Sequence, residues 1–191
     1  MHYKNYFNME IRISTKQILA FLKILSWIIF IALCVEAGGI IFNAAYAVYK
    51  PLVATYFWNG ADFSALIARD KGHFITLIGL MAIVAIFKAL IFYQILKLFY
   101  NKKFSIEQPF RGGISSIVFL IVYLCLGAGL FSKWATSYAN WLKGQGIPMP
   151  DMHYMNIDGA DVWLFMAVVL IVIGQVFKKG TELQTESDLT V

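Results

Sequence analysis

Apolar residues run along this chain in four long blocks, residues 24–49, 74–100, 114–131 and 160–177, each nearly free of charge. A helix rises about 1.5 Å per residue and a hydrocarbon core of about 30 Å takes about 20 apolar residues. The blocks therefore predict an all-α, polytopic membrane protein, a four-transmembrane-helix bundle forming one membrane domain over residues 1–191. The strictly apolar part of the last block, 162–177, would reach only about 24 Å, so it is expected to borrow Gly159 and Ala160 or to thin the bilayer locally. The first block follows a basic segment as a signal peptide would, but it is too long and lacks a small-x-small cleavage site. It is expected to stay as an uncleaved span.

The connections between blocks carry signals of their own. Asn59-Gly60-Ala61-Asp62 marks a turn, with Asp62 placed to cap a short helix ending near Lys71-Gly72. Trp134, Tyr138 and Trp141 recur at helical spacing just past the third block, which predicts a helix lying in the headgroup region. Gly144 through Pro150 should break it. The Gly-Ala-Asp shared by residues 60–62 and 159–161 is too short to indicate a duplication.

Composition narrows the picture. Of 191 residues, 60% are hydrophobic and only 14% charged, against about 25% charged in a soluble domain, and mean hydropathy is +0.68. No separate soluble catalytic domain fits in the remainder. The net charge of +5 would raise nucleic acid as a partner in a soluble protein, but here the basic residues flank apolar runs and read as topology signals. Ten Lys and Arg fall in the N-terminal segment, the middle connection and the tail, against five in the other two connections. Both termini are thus expected on the cytoplasmic side, N-in and C-in. Cys34 and Cys125 lie within apolar blocks, where they act as small hydrophobes, and no structural disulfide is expected.

Two ionisable residues fall inside the spans, Glu36 and Lys88, and such residues are functional candidates by default. Glu36 lies 12 residues beyond Ile24 and Lys88 lies 12 residues before Tyr100 on a helix of opposite direction, so their depths match and a salt bridge between them is geometrically open. Ala32, Gly39, Asn43 and Ala47 form a small and polar stripe around Glu36, with Asn43 as an interhelical hydrogen-bond donor. The two charges fix helix register, or Glu36 exchanges an ion or proton; snorkelling of Lys88 and a site for a lipid headgroup or small ligand stay open as well. Asp151, His153, Asp158 and Asp161 fit neither a Ca²⁺ loop nor a zinc pattern, and Asp161 reads as a helix cap. No metal and no cofactor is expected. The chain has no Gly-x-Ser-x-Gly, no phosphate loop and no His-Glu-x-x-His, so an enzyme is not expected.

The C-terminal residues 178–191 turn from a basic pair to an acidic, polar stretch, which as physics alone reads as a solvated tail. This ending, Phe177-Lys178-Lys179-Gly180-Thr181-Glu182-Leu183-Gln184 with Glu186 and Asp188-Leu189-Thr190-Val191, resembles the closing signature of a bacterial family of small four-span membrane proteins catalogued as a domain of unknown function. The loop segment Lys103-Phe104-Ser105-Ile106-Glu107 is similar to that family too, while Gln108-Pro109-Phe110-Arg111 departs from it. Thr15-Lys16-Gln17, Leu25-Ser26-Trp27 and Glu36-Ala37-Gly38-Gly39 look like a Bacteroidetes-type variant. The resemblance implies an inner-membrane protein without established activity and, as a partner, a cytosolic helix-turn-helix regulator. The cytosolic surfaces available for such a partner are Phe104, Ser105 and Glu107 in the loop, and Glu182, Leu183, Gln184, Glu186, Asp188 and Leu189 in the tail.

Three functions stay open on this reading. The first is a non-enzymatic regulatory or sensory component that presents its central loop and tail to a cytosolic partner. The second is a small transporter or ion-coupled channel component using Glu36 and Lys88, and the third is an immunity or membrane-stress protein binding a peptide or lipid. In each case the lipid bilayer is a partner, direct nucleic-acid binding is not expected, and homo-oligomerisation stays open.

Overall fold

In the computed structural model, which describes residues 14–100 and 113–189 and of Thr15, Asp188 and Leu189 the backbone only, the apolar blocks become four long helices, each a candidate membrane span. They are α1 (Thr15–Tyr49), α3 (Lys71–Tyr100), α4 (Ile114–Gly144) and α6 (Ala160–Leu189), with the short helices α2 (Ser64–Arg69) and α5 (Met152–Met155) in the two connections at one end. That end is called the cap here, and the other the termini end. The start of α1 is fixed by Gln17, whose side-chain oxygen accepts the Ser14 backbone N–H at 2.9 Å, one half of a capping box.

The long helices pack in chain order. α1 lies on α3, α3 on α4, and α4 on α6, and α1 and α6 share no comparable interface. On α1 the residues turned toward the protein are Ser26, Phe30, Leu33, Ala37, Ile40, Ala44 and Ala47. Their steps alternate between four and three, the seam spacing of helices that pack at a shallow angle. α4 and α6 approach closely at Gly129, where a Cβ would stand 2.8 Å from the Leu164 side chain and 3.2 Å from the Ala160 carbonyl oxygen.

The cap holds the denser core. Phe57, Phe63 and Phe74 meet edge to face with ring centroids 5.2 to 6.3 Å apart, the arrangement favoured by aromatic quadrupoles. Two backbone bonds, from Phe57 N–H to Ala61 O (3.1 Å) and from Phe63 N–H to Ala54 O (2.8 Å), stitch the first connection into a compact knot. Leu66, Leu142, Met155 and Ile157 close around it.

Three helices run further than the apolar blocks predict. α1 begins at Thr15 rather than near residue 24. The expected headgroup helix of Trp134, Tyr138 and Trp141 is the outer part of α4 itself, because Ala135, Ala139 and Leu142 on the opposite side are fully buried in the cap core. Tyr138 there shares a 2.6 Å hydrogen bond with His73 Nδ1. α6, expected to end near residue 177 in a solvated tail, continues to Leu189, about 45 Å in all. Lys179 pairs with Glu182 at 3.3 Å in that extension, and Thr181 and Thr185 return their hydroxyls to carbonyls one turn back.

Aspartates organise the cap's turns. Asp62 accepts the Ser64 N–H at 2.8 Å just ahead of α2, and Asp70 accepts the His73 N–H at 2.9 Å at the start of α3. Asp161 lies in the first turn of α6 rather than at its cap, where its charge still suits the helix dipole. Hydrogen bonds from the Ser64 side chain and backbone hold the Asp62 carboxyl below its ordinary range, and the His73 backbone does the same for Asp70. A lowered folded pKa contributes stability above the unfolded value, about 3.9, that is lost as pH falls through the folded one. Both groups are exposed, so the contribution is small. The thermal midpoint of the detergent-solubilised protein should therefore drop below about pH 4, and Asp62→Asn with Asp70→Asn should flatten that drop. An unchanged acid limb in the double variant would show that other groups govern it.

Candidate functional site

The two intramembrane charges lie at one depth, as their spacing predicts. The Trp27 indole N–H donates to the Tyr100 hydroxyl at 3.1 Å, and the Phe30 and Tyr93 rings stand 6.2 Å apart. Continued up the antiparallel pair, this register sets Glu36 level with about residue 87 of α3. The pair nevertheless does not form. Lys88 Nζ donates to the backbone carbonyl of Asn156 at 2.9 Å, reaching toward the cap as a side chain tilted to its helix N-terminus must. Asn156 is the left-handed residue that closes α5 (φ 54°, ψ 30°).

Lys88 is one of three donors that hold this returning segment. Ser132 Oγ, fully buried on α4, donates to the Ile157 carbonyl, and Thr136 Oγ1 donates to the same oxygen at 3.1 Å. Two neighbouring helices thereby fix two consecutive carbonyls of the chain just before α6 begins. Sequence reasoning missed Ser132 and Thr136. Both stand at helical spacing past the third apolar block, which was a usable signal.

Glu36 precedes a close contact of α1 with the first connection. One turn beyond it on α1 is Gly39, over which the Trp58 ring lies so closely that a Cβ would stand 2.3 Å from its Cζ3 atom. Oε1 of Glu36 and Nε1 of Trp58 are both buried, and neither has a hydrogen-bond partner among the described residues. One is an acceptor and the other an N–H donor. Unmatched buried polar atoms mark places where water or a polar guest completes the bonding. The stripe around Glu36 is only partly turned inward: Ala47 is buried, but Ala32 is exposed. Asn43 does not reach another helix, since its Nδ2 donates to the Gly39 carbonyl of its own helix at 2.8 Å, a local bond that short amides readily form.

The remaining candidates fall elsewhere. Asp151 caps α5 by accepting the His153 N–H at 3.3 Å, and no group of three His, Cys, Asp or Glu side chains converges among the described residues. Phe104, Ser105 and Glu107 lie outside the described residues, as do the side chains of Asp188 and Leu189. Glu182, Leu183, Gln184 and Glu186 lie on the extension of α6, with Leu183 exposed and Gln184 half-buried.

The fold and its four candidate spans define a polytopic, all-helical membrane protein. Residues 44–191 match the family model described as "Protein of unknown function (DUF2975)", and the chain belongs to that family. Trp58, Lys88, Ser132 and Asn156 lie within the matched residues, and Glu36 precedes them. No curated protein and no solved structure matches the chain.

Proposed function

We propose that this chain is a non-enzymatic regulatory or sensory protein of the bacterial inner membrane, N-in and C-in, that presents its central loop and C-terminal extension to a cytosolic partner. The observation that carries this reading is the unbroken course of α6. The helix starts three residues after the carbonyl held by Ser132 and Thr136 and runs to Leu189. A change in the Lys88, Ser132 and Thr136 tether would reach the tail along one rigid element, which is how a signal at the cap would cross the bilayer. The partner class implied by resemblance is a helix-turn-helix regulator, met by Phe104, Ser105 and Glu107 together with the exposed residues of the extension.

The test compares tagged full-length protein with a version lacking residues 180–191. A cytosolic protein should co-purify with the first and be lost from the second, while Lys88→Met should keep the partner and shift the regulated output. Equal recovery from both versions would exclude the tail as the docking element.

The unpartnered Glu36 carboxylate favours a second reading, an ion-coupled transporter component. Lys88 would take part through its tether to Asn156 and not as the partner of Glu36. Flux of the coupled ion in proteoliposomes should then fall at least tenfold in Glu36→Gln, as expected for loss of a general acid–base group. Unaltered flux in a correctly inserted variant would remove this reading.

A further inference from the structure

One face of the α1 and α3 pair carries a feature independent of that reading. Toward the termini end the seam opens into two adjoining grooves that share Phe30 and Tyr93. One is about 400 Å³, floored by the small side chains of Cys34, Ala37 and Ala89. The other, about 290 Å³, is bounded by Trp27, Lys97 and Tyr100. From Ile86 to Lys97 the groove follows 11 residue steps of α3, about 16 Å, or half of a hydrocarbon core of about 30 Å. Its walls are apolar, and its chemistry changes only at the rim. There Lys23 Nζ stands 3.9 Å over the Tyr100 ring, and Lys97 is exposed within the groove's lining. The Tyr100 hydroxyl accepts from Trp27 and so keeps its own O–H to donate. Neither lysine has a carboxylate partner among the described residues.

We infer that this groove binds one acyl chain of an anionic phospholipid from the leaflet at the termini end, with the lipid phosphate held by Lys23, Lys97 and the Tyr100 hydroxyl. The length is that of a single leaflet, and the cationic rim matches a phosphate. A second copy of the chain is disfavoured as the occupant. A two-fold axis along the bilayer normal through this face would bring Lys23 and Lys97 against their own equivalents, uniting like charges at one depth.

Native mass spectrometry of the full-length protein in detergent, titrated with phosphatidylglycerol or with phosphatidylcholine of the same chains, tests this. One phosphatidylglycerol should be retained at roughly tenfold lower concentration than phosphatidylcholine. Lys23→Gln with Lys97→Gln should erase that preference, and Ala89→Leu, which fills the groove without touching the charge, should weaken both lipids. Circular dichroism and the thermal midpoint establish that each variant is folded. Equal retention of the two lipids by the unmodified protein would overturn the inference, whatever the variants do. So would an unchanged preference in the folded double lysine variant, or a dimer whose formation excludes lipid.

Discussion

Replacing Phe63 by alanine should destabilise the cap by about 3–5 kcal/mol, the range for removing a buried aromatic ring. Phe63 is fully buried and touches both other rings of the aromatic knot. Its own N–H ties the first connection together through Ala54, so the backbone has little freedom to collapse into the space left behind. Phe63→Leu, which keeps most of the volume, should cost less than half as much. Unfolding in detergent micelles, followed by near-ultraviolet circular dichroism, measures both. Equal costs for the two substitutions would mean that apolar volume alone recovers nothing and that the shape of the ring carries the whole effect.

The second large effect is expected at Gly39. A leucine there must displace the Trp58 ring, since even a Cβ would stand 2.3 and 2.4 Å from two of its carbons. Overpacking of this kind typically costs about 1–3 kcal/mol. Trp58→Ala alone removes the ring and should cost about 3–5 kcal/mol. In that background Gly39→Leu should cost almost nothing, because the clash has gone. A four-variant cycle of unfolding free energies reads this coupling, expected between about 0.5 and 3 kcal/mol. Independent, additive costs would show that the two residues do not share a contact.

Much of this architecture was legible because a bilayer leaves so few choices. Four apolar blocks had to become four helices, and counting residues from block ends placed Glu36 and Lys88 at one depth, where the register of Trp27 with Tyr100 and Phe30 with Tyr93 also sets them. Direction around the helix was another matter. Apart from the short stripe around Glu36, α1 is apolar on nearly every side, so its seam could not be told from periodicity. Lys88 went to a carbonyl rather than a carboxylate because the chain after α5 folds back to its level, a return that Gly144 through Pro150 announce as a break without giving its destination. Trp58 and Ser132 were missed for the same reason: each acquires its role only from a segment distant in sequence, Gly39 for one and Ile157 for the other. The lengths of α4 and α6 were underread because polar residues such as Lys133 and Lys178 end an apolar block without ending a helix.

Packing in chain order bears on how the molecule is assembled. Each long helix rests chiefly on the one made just before it, so α1 and α3 can join while α4 is still being synthesised, and α6 needs only α4. Contacts near in sequence close early and cheaply, and a chain that settles piece by piece exposes little unfinished surface to its neighbours. The knot of Phe57, Phe63 and Phe74 is complete once α3 has emerged. What must wait is the return of Asn156 and Ile157 to Lys88, Ser132 and Thr136, which sets the last connection in place just ahead of α6.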